Sequence, residues 1–336
     1  MKKILSVIVI ITVCVVTAIA VVSQCSSKEI PPSTMEAVAK AYNADDMETV
    51  VKLCDPIYEQ KGTVEDLTIA YALALGQTGK AEKAIGVLKD QIAKEPSDYK
   101  LHQVLGEICH VERDYDGAIK AYNTVIRLNP NYARPYVYLG MIYEEKEQYD
   151  KAAENYAEAT RLFVAHDFFD ETIDYGLKVL KHDKSNLEML YYVALAYDKK
   201  KEYAEAYEYL TQAMEIISDN NDTSDSFVKG IYPYIYFRAG RIELFNKRYD
   251  IAAMHLTVAH DFLHKVEACR EEGITDILLA DAFFNMENTD FYTVCRRNAL
   301  QLQGCIKDDV ETQIKVFIDD PEAMMEYTAN VLDLPE

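Results

Sequence analysis

The feature that most restricts the fold is a 34-residue period in the middle of the chain. Pro96 and Pro130 stand 34 apart, each just after an apolar segment. Ala84, Ala118 and Ala152 step by the same interval, as do Gly106 and Gly140, Tyr115 and Tyr149, and Tyr122 and Tyr156. One such pair is coincidence, but several in phase mean that a structural unit is repeated. Within a unit the apolar residues fall at helical spacing. Tyr136, Leu139, Gly140 and Tyr143 share one face of a first helix. Past a turn at Glu147-Gln148, a second helix carries Tyr149, Ala152, Ala153, Tyr156 and Ala159 on one face. Small residues on the facing helices imply close backbone approach, with tyrosines filling the space beside them. One helix pair cannot bury its apolar face alone, so successive pairs must stack.

Composition agrees. Only 12 Gly and 9 Pro punctuate 336 residues, 49% are hydrophobic and there is no Trp. This is a helix-forming mixture. The expected fold is all-α, a superhelical solenoid of stacked helix-turn-helix repeats. The formal net charge is −21. A surface that acidic repels phosphates, so a nucleic-acid partner is not expected and basic protein segments are favoured.

The first 25 residues read differently. Lys2 and Lys3 precede residues 4–22, which carry no charge. As a helix that run would span roughly 28 Å, about one bilayer core. It is longer than the roughly 7–15 apolar residues usual in a signal peptide. Two lysines before it and a near-neutral flank after it orient the N-terminus to the cytoplasm and the bulk of the chain outside. Residues 22–27, Val-Ser-Gln-Cys-Ser-Ser, resemble a bacterial lipobox with Cys25 as the lipidation candidate, although Gln24 departs from the small residue expected there. A spanning anchor, a lipoprotein signal and a cleaved secretory signal all stay open. Residues 26–34, with Pro31-Pro32, read as a spacer.

The repeated residues resemble the tetratricopeptide repeat (TPR) family, whose unit carries an aromatic, Leu-Gly, Tyr, Ala, a second aromatic, Ala and Pro in fixed order. Residues 133–166 match with Tyr136, Leu139, Gly140, Tyr143, Ala152, Tyr156 and Ala159. Residues 99–132 match with Leu105, Gly106, Ala118, Tyr122 and Pro130, and depart at His102 and Cys109. Residues 65–98 keep Ala84 and Pro96. Looser units follow at 187–220 (Leu190, Ala194, Tyr197, Ala206) and 233–266 (Tyr236, Gly240, Tyr249, Ala252). The repeats are therefore expected over residues 35–307, clearest at 65–166 and looser at 187–266, with capping helices at 308–336. Ala152 and Ala206 lie 54 apart, which places an extra helix at 167–185. Ala206 and Ala252 lie 46 apart, and that surplus falls in the polar, acidic residues 218–226.

The resemblance implies a protein-binding scaffold whose first helices line a concave groove. Carried onto this sequence, the groove-lining positions include Val137, Met141, Tyr191, Leu195, Tyr234, Phe237 and Arg241. The Lys and Asn with which chaperone-binding members hold a carboxylate are missing from these positions. The implied groove has an apolar stripe rimmed by carboxylates such as Glu144 and Glu145, suited to basic or amphipathic segments. The competing reading is that several of these side chains are core, since apolar residues at helical spacing more often are.

No catalytic motif is found: no Gly-rich phosphate loop, Gly-x-Ser-x-Gly, His-Glu-x-x-His or Cys-x-x-Cys. Cys54 and Cys109 fall on repeat core positions, and a Cys295–Cys305 disulfide lacks support from spacing. His260 and His264 stand one helical turn apart near His255 and Asp261, but a metal needs a third ligand of defined geometry. No metal, cofactor or catalytic residue is expected. The leading reading is a membrane-tethered, non-catalytic interaction scaffold facing outside the cytoplasm, periplasmic or at the cell surface if bacterial. A cytosol-facing organelle receptor, and less so an enzyme or metal-binding protein, are the alternatives.

Overall fold

The computed structural model describes residues 30–61, 64–219, 226–265, 268–306 and 310–329. Among them are eighteen helices and no strand. The fold is all-α, a solenoid of stacked helix-turn-helix repeats, as the period requires. The lipidation candidate Cys25 and the apolar run before it lie outside the described residues. Among those described, no helix is long and apolar enough to cross a membrane.

The chain divides into two compact units, which meet in sequence at Lys146 and Glu147. The first holds α1 (Pro32–Asn43), α2 (Met47–Lys61), α3 (Thr68–Gln77), α4 (Ala81–Lys94), α5 (Tyr99–Val111), α6 (Tyr115–Leu128) and α7 (Ala133–Glu145). The second holds α8 (Tyr149–Ala165), α9 (Phe169–His182), α10 (Leu187–Lys199), α11 (Tyr203–Asp219), α12 (Ser226–Phe245), α13 (Tyr249–Lys265), α14 (Cys269–Asn285) and α15 (Thr289–Gln301). It ends with the single turn α16 (Gln303–Ile306), then α17 (Val310–Asp319) and α18 (Pro321–Ala329).

The turns explain the pairing. Asp45, Gly79, Arg113, Glu147, Asp167, Lys201, Lys247 and Glu287 all have φ between 56° and 76°, each just past a helix end. Around them the chain closes with a backbone bond spanning five residues, such as Lys80 N–H to Leu75 O at 2.7 Å and Asp114 N–H to Cys109 O at 2.8 Å. This is the Schellman motif, in which a left-handed residue satisfies the last helical carbonyls and reverses the chain. Only Gly79 adopts that conformation without strain; the other seven turns place a side chain there, at roughly 1 kcal/mol each. Side chains cap the next helix: Asp114 accepts from Gly117 N–H at 3.0 Å, and Asn186 from Met189 N–H at 3.1 Å.

Small-residue contacts then set the helix spacing. A Cβ on Gly106 of α5 would lie 2.6 Å from the ring of Tyr122 on α6, a ring that is fully buried and stacks on Tyr138 of α7 at 5.1 Å. In the second unit Gly240 of α12 meets Leu256 of α13 in the same way, again with a 2.6 Å approach. Both are the Leu-Gly positions read in the sequence.

The irregular spacings have visible causes. Glu147 and Asp167 both adopt the reversing turn, so α8 and α9 follow α7 through two successive tight turns. Gly176 of α9 lies against Val193 of α10 and Thr160 of α8. In the second gap, α11 and α12 are long, at 17 and 20 residues, and take up part of the surplus; residues 220–225 lie outside those described. The C-terminal helices behave less simply than caps. Helix α17 lies against the last pair, α14 and α15, whereas α18 turns back to α12, one pair earlier.

Candidate functional site

A stack of helix pairs offers one surface built for contact, the row of first helices, so the site is sought there. In the first unit the row is α3, α5 and α7. In the second it runs through α10, α12 and α14.

The first unit keeps part of this row open. Met141 on α7 is half-buried, as are Ile69 and Leu73 on α3. Between them, Gln103 of α5 donates to Glu107 at 2.7 Å, with Arg134 of α7 beside the carboxylate. Burial pushes the Glu107 carboxyl above the usual range, while Gln103 and the Arg134 charge hold it down. At the end of α7, Glu145 accepts from Tyr115 at 2.6 Å and faces His110 at 3.6 Å. The face thus alternates apolar area with carboxylates. Val137, expected in the groove, is instead buried.

In the second unit the expectation fails more widely. Tyr191, Leu195, Phe237 and Arg241 are all buried; only Tyr234 is half-exposed. These residues do not line an open groove. Two physical causes are visible. Helices α10 and α12 pack directly on each other, and both Tyr191 and Phe237 are fully buried. Over Arg241 lies α18: the guanidinium Nη1 donates to the Met325 carbonyl and to Thr328 Oγ1, both at 3.1 Å.

Beneath α18 is a charge cluster that the sequence reading missed. Asp198 of α10 accepts from Arg238 Nη1 and, on both carboxylate oxygens, from Arg241 Nη2, and all three side chains are fully buried. At Asp198 itself two guanidiniums share one carboxylate, and the α18 carbonyl and hydroxyl take further donors of Arg241; Glu243, also fully buried on α12, pairs instead with Arg248. A signal did exist: two arginines one turn apart in YPYIYFRAGRIELF, where Glu243 is the sole other charged residue, demand a buried anion.

The remaining chemistry-bearing residues are dispersed. Cys54, Cys109 and Cys295 are free, buried thiols, raised by burial to about 12, about 11 and about 12. Cys305 is disulfide-bonded, and not to Cys295. His264 Nδ1 meets Glu272 at 2.8 Å, and His260 Nε2 lies 3.6 Å from Glu272 and 3.7 Å from Asp276, tying α13 to α14. His255 turns instead toward Tyr236. Among the described residues no group of three or more such side chains is placed to hold a metal ion.

Comparison with known proteins gives the repeats their name. Profiles described as TPR repeat and tetratricopeptide repeat match residues 106–147, and residues 133–163 and 187–220. The chain carries tetratricopeptide repeats. No curated protein matches the sequence. Among solved structures, a crystal structure of MamA aligns at 19% identity and TM-score 0.35, covering 54% of this chain and 95% of that one. The APC/C hetero-tetramer Cut9-Hcn1 aligns at 10% identity and TM-score 0.38, covering 82% and 52%. Likeness at these scores carries no functional weight.

Proposed function

We propose that this TPR-repeat chain is a non-catalytic interaction scaffold, tethered to a membrane through its N-terminal segment with its repeats outside the cytoplasm. The observation that carries the scaffold reading is the half-open first-helix row of the first unit, where Met141 and Leu73 sit among the Glu107–Arg134 and Glu145 groups. Repeats of this family generally serve as protein-binding surfaces, and a shallow face of mixed character suits an extended or helical segment better than a small substrate. Its carboxylates favour a basic, amphipathic partner. Thiols held protonated by burial are unsuited to nucleophilic chemistry.

Localisation outside the cytoplasm is supported by Lys2 and Lys3 ahead of the apolar run, and by the disulfide at Cys305, since disulfides persist in oxidising compartments. Protease added to intact cells should digest the repeats. Cys25→Ser should release the protein from membranes if lipid holds it there, and retention would favour a spanning helix.

The partner face is tested by crosslinking from native membranes. Met141→Ala with Glu107→Lys should lower partner capture about tenfold, since a pair of contact residues carries on the order of 1–2 kcal/mol. Both side chains are partly exposed, so helix content should hold. Undiminished capture by the folded variant would sink the reading of this face.

A further inference from the structure

The second unit's inner face is not empty; its occupant is α18. From this arrangement we propose that α18 is a displaceable internal ligand, and that its seat on α12, over the Asp198 carboxylate of α10, takes in trans a short amphipathic helix of the same chemistry. The occupant itself shows what the seat reads. Met324 and Met325 are buried side by side, Thr328 is fully buried one turn later, and Glu322 and Glu326 stand on the opposite side. Arg241 reads the polar part, donating to Met325 O and Thr328 Oγ1 at 3.1 Å each. A partner helix therefore needs two adjacent long apolar residues, a hydroxyl three positions on, and acceptors facing Arg241. The two guanidiniums that share the Asp198 carboxylate favour an acidic helix here. That is opposite to the basic segment suited to the first unit.

Displacement is physically reasonable for three reasons. Helix α18 has nine residues, too few to be stable alone, so its order depends on the seat. It is joined to α17 by Asp320 alone, an articulation point. Methionine side chains are flexible and repack with little loss, which suits a reversible contact. When α18 leaves, Asp198 still neutralises one arginine, and the other becomes the anchor for an incoming acceptor.

The proposal deepens the scaffold reading, and rests on it only for the existence of a natural partner. It is tested on the full chain by hydrogen exchange and peptide capture. Amides of α18 should exchange at least about tenfold faster than those of α10 and α12 beneath it. A biotinylated peptide of residues 318–332 should be captured about tenfold better by Met325→Glu protein, which expels its own helix, than by the unaltered protein. The same peptide carrying Met325→Glu should not be captured. Exchange of α18 in step with α10 and α12 overturns the proposal, as does collapse of protection across α10–α13 in the Met325→Glu protein, because either makes α18 an integral part of the core. Equal capture of both peptides overturns the seat's selectivity. Failure to find any protein partner in membranes would count against the scaffold reading, while the exchange and peptide results would stand apart from it.

Discussion

Replacing Asp281 by Asn should make this protein more stable at neutral pH, although it deletes a native charge. Asp281 lies on α14 with its side chain almost wholly buried, and burial pushes its carboxyl up to about 6, despite a 2.7 Å bond from Asn285 Nδ2 that holds it down. In the unfolded chain the same group titrates near about 3.9. A carboxyl whose folded-state value is raised contributes its full stability below the unfolded value, and loses it as pH rises through the folded one. The difference of about two units corresponds to about 3 kcal/mol at pH 8, of which about 2 kcal/mol is already lost at pH 5.5. An Asn keeps the oxygen that accepts from Asn285 and never ionises, so Asp281→Asn should recover about 2–3 kcal/mol at pH 8. Urea unfolding followed by circular dichroism at pH 5.5 and pH 8 measures both parts. The native protein should lose about 1 kcal/mol more between those two values than the variant does. A variant no more stable than the native protein at pH 8, or one with the same pH slope, would refute the reasoning.

Three further outcomes are expected. Gly106→Ala, whose Cβ would press on the buried Tyr122 ring at 2.6 Å, should cost about 1–3 kcal/mol, whereas Gly86→Ala, with nothing within 4 Å, should gain up to about 1 kcal/mol; comparing the two urea midpoints checks both. Arg113→Gly places glycine at a φ of 60° in the α5–α6 turn and should raise stability by about 0.5–1 kcal/mol in the same assay. Asp276, followed by Glu272, raises the His260 value above the usual histidine range against the effect of burial, so the α13–α14 tie is strongest below about pH 6.5 and weakens as pH rises through the raised value. Hydrogen exchange of α13 should accelerate across that window, and His260→Gln should abolish the change.

What could be read from the sequence follows from what a local pattern encodes. Turn and packing positions repeat every 34 residues, because the same reversing turn and the same glycine-to-ring approach recur; Gly79, Arg113 and Glu147 keep that step. Such features need only neighbours in sequence, so Leu105-Gly106 and Tyr122 announced them. Whether a first-helix side chain faces solvent depends on what covers it from far along the chain. Arg241 is covered by Met325 and Thr328, more than eighty residues later, and no periodicity links them. The sequence assigned one environment to all the groove-lining positions. Met141 and Tyr234 stay half-open, but Tyr191, Leu195 and Phe237 are sealed.

The buried Asp198–Arg238–Arg241 cluster suggests why one inner face is open and the other closed. Burying ion pairs usually costs as much desolvation energy as the attraction returns, so such a cluster is a poor device for stability alone. An apolar replacement of similar volume would seal the same space with no orphaned donor. What the cluster supplies is direction, because a fork of fixed N–H groups accepts only a helix whose carbonyl and hydroxyl arrive in one register. The Met324–Met325 pair gives the apolar contact that holds α18, and Arg241 determines which helix may make it. On this argument the second unit gives up some stability for selectivity at its inner face, a trade that has a purpose only if the face is sometimes occupied by something other than α18.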